Sequence, residues 1–162
     1  MCGIFGILTN QTDYPIYERV LKALTQLQNR GYDSSGIGLL LENNIHIEKY
    51  ASESQQTSID KLKHAYYTNT DLVKATSIGI GHNRWATHGY KNDINSHPHA
   101  SQDKQFMIVH NGIIENYQVL KDFLITKGYT FISQTDTEVI VNLISFYYQE
   151  CSNTFQSIKN TI

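Results

Sequence analysis

Cys2 is the residue whose type and position most directly suggest chemistry, because it stands immediately behind the initiator methionine. Removal of Met1 would leave a cysteine that carries a thiol and a free α-amine on the same residue. An α-amine has an ordinary pKa of about 7.7–8.0, close enough to neutral pH to accept the thiol proton. This arrangement predicts a nucleophile for a carbonyl carbon. The alternative is a small buried cysteine that only packs within a strand.

The stretch "HNGIIEN" contains a pair of residues suited to acyl-transfer chemistry. The side-chain amide of Asn111 and the backbone N–H of Gly112 are adjacent donors that could stabilise a developing oxyanion. The alternative is a hairpin turn, for which Asn-Gly is a common sequence. However, the chain continues "YQVL", which favours a helix rather than a returning strand.

Three further side chains in "RWATHG" and one downstream carboxylate could bind a substrate. Arg84 can hold a carboxylate through two hydrogen bonds, and Thr87 and His88 lie on the same loop. Asp136 could pair with a ligand ammonium group. The structural alternatives are a surface salt bridge for Arg84 and a helix cap for Asp136.

Five histidines lie between His82 and His110, so a metal site has to be considered. Their spacing matches neither the H-E-x-x-H pattern nor a zinc-finger pattern, and no cysteine is near them. Gly79 and Gly81 also lack the third glycine of a dinucleotide-binding fingerprint. We therefore expect neither a metal nor another cofactor.

Hydrophobic periodicity predicts alternating strands and helices around these residues. We expect strands in "CGIFGILTN", "IGLLL", "IHIEKY", "ATSIGIGHN", "QFMIVHN" and "YTFI". Apolar faces predict a helix from Pro15 to about Asn29 and a weaker one in "SIDKLKHAYY". We expect Asn116 to cap a helix that Gly128 ends, and Thr135 with Glu138 to form the capping box of another. Phe155, Ile158 and Ile162 share one face of a final helix.

Composition and charge exclude several classes of function. The chain has 162 residues, of which 40% are hydrophobic and 17% charged, with a net charge of -2. This balance predicts a globular domain without a nucleic-acid-binding surface or a membrane-binding segment. No signal peptide is recognisable, so we expect a cytoplasmic protein. A disulfide between Cys2 and Cys151 is not expected in such a reducing compartment.

Six motifs in the same order and at similar separations resemble the class II glutamine amidotransferase domain. They are "CGIFG", "RGYDSSG", "GHNRWATHG", "NSHPH", "HNGIIENY" and "GYTFISQTDTEVI", and the match as a whole runs from Cys2 to about Ile144. Within the class, "RGYDS", "RWATHG" and "NSHPH" are similar to the glutamine–fructose-6-phosphate aminotransferases. The related phosphoribosyl pyrophosphate amidotransferases usually carry another sequence in place of "RWATHG".

The resemblance implies an α+β, N-terminal nucleophile fold: a four-layer αββα sandwich with antiparallel sheets. It also implies that Cys2 attacks the side-chain amide of L-glutamine, with Asn111 and Gly112 as the oxyanion hole. Further roles follow from the same resemblance. Arg84, Thr87, His88 and Asp136 would bind glutamine, Trp85 would gate the ammonia path, and Arg30 and His97 would support the site.

Compared with that family, the domain at residues 2–162 is expected to be incomplete at its C-terminal end. Sugar isomerase modules that bind fructose 6-phosphate would have to come from elsewhere. We expect a glutaminase that feeds ammonia to fructose 6-phosphate in the full enzyme, giving glucosamine 6-phosphate. The alternatives are an inactive relic or partner-binding fragment, and an amidotransferase with a different acceptor.

Overall fold

The computed structural model describes residues 2–11, 13–74, 76–85 and 90–162 of the chain. Five α-helices and six strands are present in this part. The strands are β1 (Gly3–Leu8), β2 (Ser34–Leu41), β3 (Asn44–Ala51), β4 (Ile78–Arg84), β5 (His99–Ala100) and β6 (Met107–Ile108). The helices are α1 (Ile16–Gln26), α2 (Ser58–Thr68), α3 (Tyr117–Thr126), α4 (Asp136–Cys151) and α5 (Thr154–Thr161).

Four strands form one antiparallel sheet in the order β1-β4-β2-β3. Strands β2 and β3 form the predicted hairpin, whose turn residues Glu42 and Asn43 both have positive φ angles. Strand β4 inserts between β1 and β2 and pairs with both. The N-terminal strand is therefore bound to a strand that begins about seventy residues later in the sequence.

Helices α1 and α2 cover one face of this sheet, as their apolar periodicity predicts. The buried side chains of α1, including Ile16, Val20 and Leu24, pack with Ile37 and Leu39 of β2 in one core cluster. Glycine at two positions of β4 makes this contact close. An added Cβ would lie 2.4 Å from Ile16 at Gly79 and 2.5 Å from Val20 at Gly81.

The other face of the sheet meets the small β5–β6 sheet and the segment that precedes it. At Gly36, an added Cβ would lie 2.1 Å from the carbonyl oxygen of His97. Lys49 holds the same segment, since its Nζ donates to the carbonyl oxygens of Ile94 (3.1 Å), Ser96 (2.8 Å) and Pro98 (3.2 Å). The two sheets are thus joined at backbone-to-backbone distance.

Burial of Lys49 has an electrostatic consequence. Burial lowers the pKa of the Lys49 ammonium to about 8, against the opposing effect of the negative charges of Glu138 and Asp93. Asp93 also accepts a hydrogen bond from the backbone N–H of Ala51 at 2.6 Å, which fixes the loop before His97 to β3.

Helices α3 and α4 form a second core, with α5 packed against α4. Leu124, Tyr129, Val139 and Leu143 are its buried residues. Since α4 also contacts β5 and β6, the order of layers is helices, sheet, sheet, helices. None of the helices in the described part of the chain has the length and apolarity needed to cross a bilayer.

Several local expectations differ from the structure. Asn116 precedes α3, but its side chain makes no capping hydrogen bond. The expected strand "YTFI" is wrong, because residues 129–132 form no ladder, and "QFMIVHN" contributes only the two residues of β6. Tyr129 and Phe131 pack in the core of α3 and α4, whereas Ile132 is 78% exposed, so apolar composition alone did not indicate strand pairing.

The capping box at α4 forms in part. Thr135 caps the helix by accepting the N–H of Glu138. Glu138 does not return to Thr135; instead its carboxylate accepts the backbone N–H groups of Ile132 (2.9 Å) and Ser133 (2.6 Å). The carboxylate therefore orders the loop that leads into the helix.

The contact between the sheets predicts the effect of adding one methyl group. We expect Gly36→Ala to lower the free energy of unfolding by about 3 kcal/mol, the upper part of the range for overpacking. The reason is that its Cβ would meet backbone and not a movable side-chain end. Urea unfolding followed by circular dichroism measures the change.

Gly6→Ala is the matched control, because among the described residues a Cβ at Gly6 of the same sheet would have only Ile80 within 4.0 Å. It should leave the free energy of unfolding unchanged or raise it by less than about 1 kcal/mol. Equal effects of the two substitutions would contradict the close approach of the sheets.

Candidate active site

Cys2 directly precedes β1, and strand pairing fixes its neighbours. The register pairs Gly3 with Asn83, so Cys2 lies beside Arg84, the last residue of β4, and Trp85, which follows it. The backbone N–H of Trp85 donates to Sγ of Cys2 at 3.2 Å. The predicted nucleophile is therefore held by the residue that follows β4, 83 positions away in the sequence.

Arg84 is the last residue of β4 and is only 8% exposed. Its backbone carbonyl accepts the N–H of Asp33 at 3.1 Å. The loop before Asp33 passes very close, since a Cβ on Gly31 would lie 2.7 Å from the carbonyl carbon of Arg84. Burial lowers the pKa of the Arg84 guanidinium, while the nearby carboxylates of Asp33 and Asp136 oppose that effect. Arg84 is thus a cation in a partly apolar wall, suited to binding a carboxylate.

Asn111 and Gly112 follow β6 and approach the nucleophile from the second sheet. Nδ2 of Asn111 donates to the backbone carbonyl oxygen of Cys2 at 3.2 Å. Gly112 has a φ of 154°, a conformation that side-chain-bearing residues rarely adopt. A Cβ there would also lie 2.8 Å from Nε2 of His110. The backbone at this point therefore requires glycine.

Asp136 is the first residue of α4 and not its cap, which is Thr135. Its Oδ2 accepts the backbone N–H of Ile114 at 2.8 Å, and Oδ1 lies 3.4 Å from the hydroxyl of Thr137. Asp136 therefore links the chain after Gly112 to the helix. A carboxylate in the first turn also interacts favourably with the helix dipole.

These residues line one cavity of about 550 Å³. Cys2, Arg84, Trp85, Asn111, Gly112 and Asp136 all contribute, as do Arg30 and His97. Thr87 and His88 lie outside the described residues. Sequence analysis did not assign the remaining lining residues to a substrate pocket: His82, His110, Ile113, Tyr117, Gln134, Thr135 and Thr137. One of them, His82, could have been found by strand alternation, since it stands two positions before Arg84 on the same face.

Trp85 and His97 differ in exposure. Trp85 is 43% exposed, and its ring centroid lies 5.3 Å from that of Tyr32. His97 is buried, and its ring stacks on His82 at a centroid distance of 4.4 Å and meets the edge of His99 at 4.9 Å. The predicted roles of Trp85 as a gate and of His97 in supporting the site stay predictions.

His82, His97 and His99, whose rings are in contact, share one electrostatic state. Burial lowers the pKa of His82 to about 4, partly opposed by its hydrogen bond with Asn111. Burial and the neighbouring cationic side chains also lower the pKa of His97 and of His99 well below the ordinary value. All three are therefore neutral at pH 7.

Both cysteines are free thiols, so the structure contains no bond between Cys2 and Cys151. Within the described ranges, no group of three or more His, Cys, Asp or Glu side chains is arranged to hold a metal ion. The chemistry available in the cavity is that of a thiol, amide and backbone donors, a guanidinium and a carboxylate. Such a set can bind an amino acid and attack a carbonyl group.

Comparison with known proteins gives a family and several relatives. A model of the glutamine amidotransferase domain matches residues 40–158. The chain is 49% identical over 148 residues to a glutamine–fructose-6-phosphate aminotransferase (isomerizing) of Caldanaerobacter subterraneus subsp. tengcongensis, covering 91% of this chain and 22% of that protein. It is 41% identical over 162 residues to the Chlamydia pneumoniae aminotransferase of the same name, covering 100% of this chain and 25% of the relative. The chain thus spans about a quarter of the length of these relatives.

Two solved structures are similar in fold to this chain. The allosteric regulatory enzyme of purine biosynthesis superposes with a TM-score of 0.73 at 27% identity, covering 98% of this chain and 32% of that one. The glutamine phosphoribosylpyrophosphate amidotransferase of B. subtilis gives 0.67 at 26% identity, with the same coverage. These likenesses, with the order of layers, confirm the predicted α+β fold of the N-terminal nucleophile type.

The neutral buried histidines predict a loss of stability in mild acid. The ordinary pKa of histidine is about 6.5, so the unfolded chain takes up protons below that pH while folded His82 does so only near pH 4. The contribution of His82 is therefore fully present above pH 6.5 and is lost as the pH falls to 4. The loss amounts to about 3 kcal/mol for His82, and His97 and His99 act in the same direction.

Urea unfolding at a series of pH values between 7 and 4 measures this loss. His82→Gln should flatten the dependence, because its side chain does not titrate. His64→Gln, on the exposed face of α2, is the matched control and should keep the wild-type slope. A wild-type free energy of unfolding that stays constant down to pH 4 would show that the histidines are not held neutral.

Proposed function

The chain belongs to the glutamine amidotransferase domain family, and within it we propose that Cys2 hydrolyses the side-chain amide of L-glutamine. The observation that carries the proposal is that Cys2, Asn111 and Asp136, from three distant parts of the sequence, line one cavity. Arg84 lies in the same wall. A nucleophile, an oxyanion donor and two charges of opposite sign match the groups of glutamine.

The two charges fit the two charged groups on the α-carbon of glutamine. Arg84 would bind the α-carboxylate, and Asp136 would bind the α-ammonium group through the lone pairs that Ile114 does not use. Thr87 and His88 would complete the pocket. Trp85 would lie over the bound amide and gate the path by which ammonia leaves. Arg30, which ends a short 3-10 helix, and His97 also line the cavity and would support this arrangement.

The proposed reaction begins after removal of Met1. The α-amine of Cys2 accepts the thiol proton as Sγ forms a bond to the amide carbon of glutamine. The amide oxygen becomes an oxyanion, which the side-chain N–H of Asn111 and the backbone N–H of Gly112 stabilise. Collapse breaks the carbon–nitrogen bond, and the protonated α-amine gives its proton to the departing ammonia. Water then attacks the γ-glutamyl thioester, and glutamate leaves with the thiol restored.

We propose fructose 6-phosphate as the acceptor of the ammonia. The support is the identity of 49% and 41% to glutamine–fructose-6-phosphate aminotransferases, together with "RWATHG" and "NSHPH". Residues 2–162 would form the glutaminase domain, and sugar isomerase modules of a longer protein or a partner chain would bind the sugar. A reducing cytoplasm is the proposed location, because the reaction needs Cys2 as a free thiol.

Cys2→Ala tests the nucleophile. We expect it to abolish glutamine hydrolysis, measured as glutamate release, while the circular dichroism spectrum and the urea midpoint stay near those of the wild type. Cys151→Ala removes the other thiol, on an exposed helix end, and should keep full activity. Appreciable turnover by Cys2→Ala would refute the assignment.

A mass measurement tests the processing and the pocket together. The intact protein should lack Met1 and should gain one adduct at Cys2 with a diazoketone analogue of glutamine. An excess of glutamine should slow this labelling. Retained Met1, or a free Cys2 that takes no label, would favour an inactive relic.

Asp136→Asn tests the ammonium contact. Loss of one hydrogen bond to a charged group costs about 1.5–3 kcal/mol, so KM for glutamine should rise about 10- to 100-fold. Asparagine keeps an oxygen that can accept the N–H of Ile114, which preserves the loop. Asp122→Asn, on the exposed face of α3, is the matched control and should leave KM unchanged. An unchanged KM in Asp136→Asn would mean that Asp136 serves only the loop and the helix.

A further inference from the structure

His82 lies in the wall of the cavity and contacts the side chain of Asn111. Its Nε2 lies 2.9 Å from Oδ1 of Asn111, and the His82 residue is 1% exposed. An amide oxygen only accepts hydrogen bonds, so Nε2 of His82 must carry the proton. The other ring nitrogen, Nδ1, has no hydrogen-bond partner among the described residues. The side-chain hydrogen bond of the His82 ring, through Nε2, is therefore directed at the candidate oxyanion donor.

This contact selects the orientation of the Asn111 amide. With Oδ1 on His82, the NH2 group is directed at Cys2, whose carbonyl oxygen accepts one of its two N–H bonds at 3.2 Å. A flipped amide would direct Oδ1 at that carbonyl oxygen, so two acceptors would face each other. Only the observed orientation makes both hydrogen bonds. It leaves the second N–H of the amide available to a substrate.

The ring of His82 is in turn fixed by His97. The two rings are stacked, with an interplanar angle of 27°. Nδ1 of His97 accepts the backbone N–H of His110 at 3.3 Å, so the stacked ring also binds the residue before Asn111. Lys49 holds the backbone on both sides of His97 through Ser96 and Pro98. The position of the His82 ring is thus determined by the second sheet as well as by β4.

We propose that His82 is a positioning residue for glutamine hydrolysis, which holds the Asn111 amide with its NH2 group toward the oxyanion. The inference rests on the proposed function of the site. His82 lies one residue layer behind the reacting atoms and exchanges no proton with them. Loss of the His82 contact should therefore lower kcat and leave KM for glutamine nearly unchanged, because glutamine binding depends on Arg84 and Asp136.

Two substitutions at His82 test its hydrogen bond to Asn111 separately from the packing of its ring. His82→Leu removes the donor and keeps an apolar side chain of moderate size, whereas the side-chain amide of His82→Gln can still donate to Oδ1. Loss of one oxyanion donor costs about 100- to 1,000-fold in kcat, so loss of its orientation should cost about 10- to 100-fold. We expect that fall for His82→Leu with KM within about twofold of wild type, and recovery of most of kcat in His82→Gln.

Control measurements exclude a general loss of structure. The rate at which iodoacetamide alkylates Cys2 does not need an oxyanion hole, so it should be similar in wild type and both variants. His46→Gln changes a histidine on β3 that contacts Glu48, and it should keep wild-type kcat and KM. The predicted tautomer gives a test without turnover. A ¹H–¹⁵N spectrum at pH 7 should show the proton on Nε2 of His82, and that signal should shift in Asn111→Ala.

The outcomes distinguish this inference from the proposed function. An inactive wild type would refute the glutaminase assignment and the catalytic part of the inference with it. An active wild type with unchanged kcat in His82→Leu would refute the inference alone, as would a rise in KM that accounts for the whole loss. If His82→Leu does not fold, a His82→Gln variant with no recovered activity, or a His82 proton on Nδ1, would still overturn it.

Discussion

The close approach between the two sheets is the constraint on which the site depends. At Gly36 the backbone of β2 touches the carbonyl of His97, and Lys49 of the neighbouring strand binds the carbonyls on both sides of that residue. Cys2 and Arg84 are carried by the first sheet, while Asn111 follows the second. Their separation is therefore set by how tightly the sheets pack. A single methyl group at Gly36 would change it.

Burial of polar groups at this junction gives the site its electrostatic character. The ammonium of Lys49 and the guanidinium of Arg84 both have a lowered pKa because they are withdrawn from water. The same burial keeps the stacked histidines neutral, so that His82 presents one N–H and no charge to Asn111. A neutral imidazole can orient an amide without adding a charge to the nearby cationic wall. Low dielectric also strengthens the hydrogen bonds that fix the cavity.

Backbone groups make several of the contacts that fix the site. The positions of its glycine and its carboxylate are therefore set by backbone geometry. The N–H of Trp85 binds the sulfur of Cys2, and the N–H of Ile114 binds Asp136. Gly112, two residues before Ile114, has a positive φ. The same residues can therefore serve folding and chemistry. For Asp136 in particular, one oxygen is used by the loop and the rest of the carboxylate faces the cavity.

The sequence by itself determined the family, the main helices and strands, and most of the candidate site. Apolar periodicity was enough for α1, α2, α4 and the β2–β3 hairpin, because a helix or strand with one buried face carries that pattern in its own residues. The motifs around Cys2, Arg84, Asn111 and Asp136 were enough for the resemblance. The structure of short stretches such as "YTFI" could not be assigned from their residues, since the same apolar residues suit helix packing and strand pairing.

Only the tertiary structure decided how these residues meet. Strand register brings Trp85 to Cys2 across 83 positions, and sheet packing brings His82 to Asn111 across 29. Sheet packing also lets Lys49 bind the backbone on both sides of His97. The sequence of a strand does not show that one of its lysines has this role. The physical reason is that such contacts are made between segments far apart in the sequence. A local pattern records which face of a segment is buried, but not which groups of another segment lie against it.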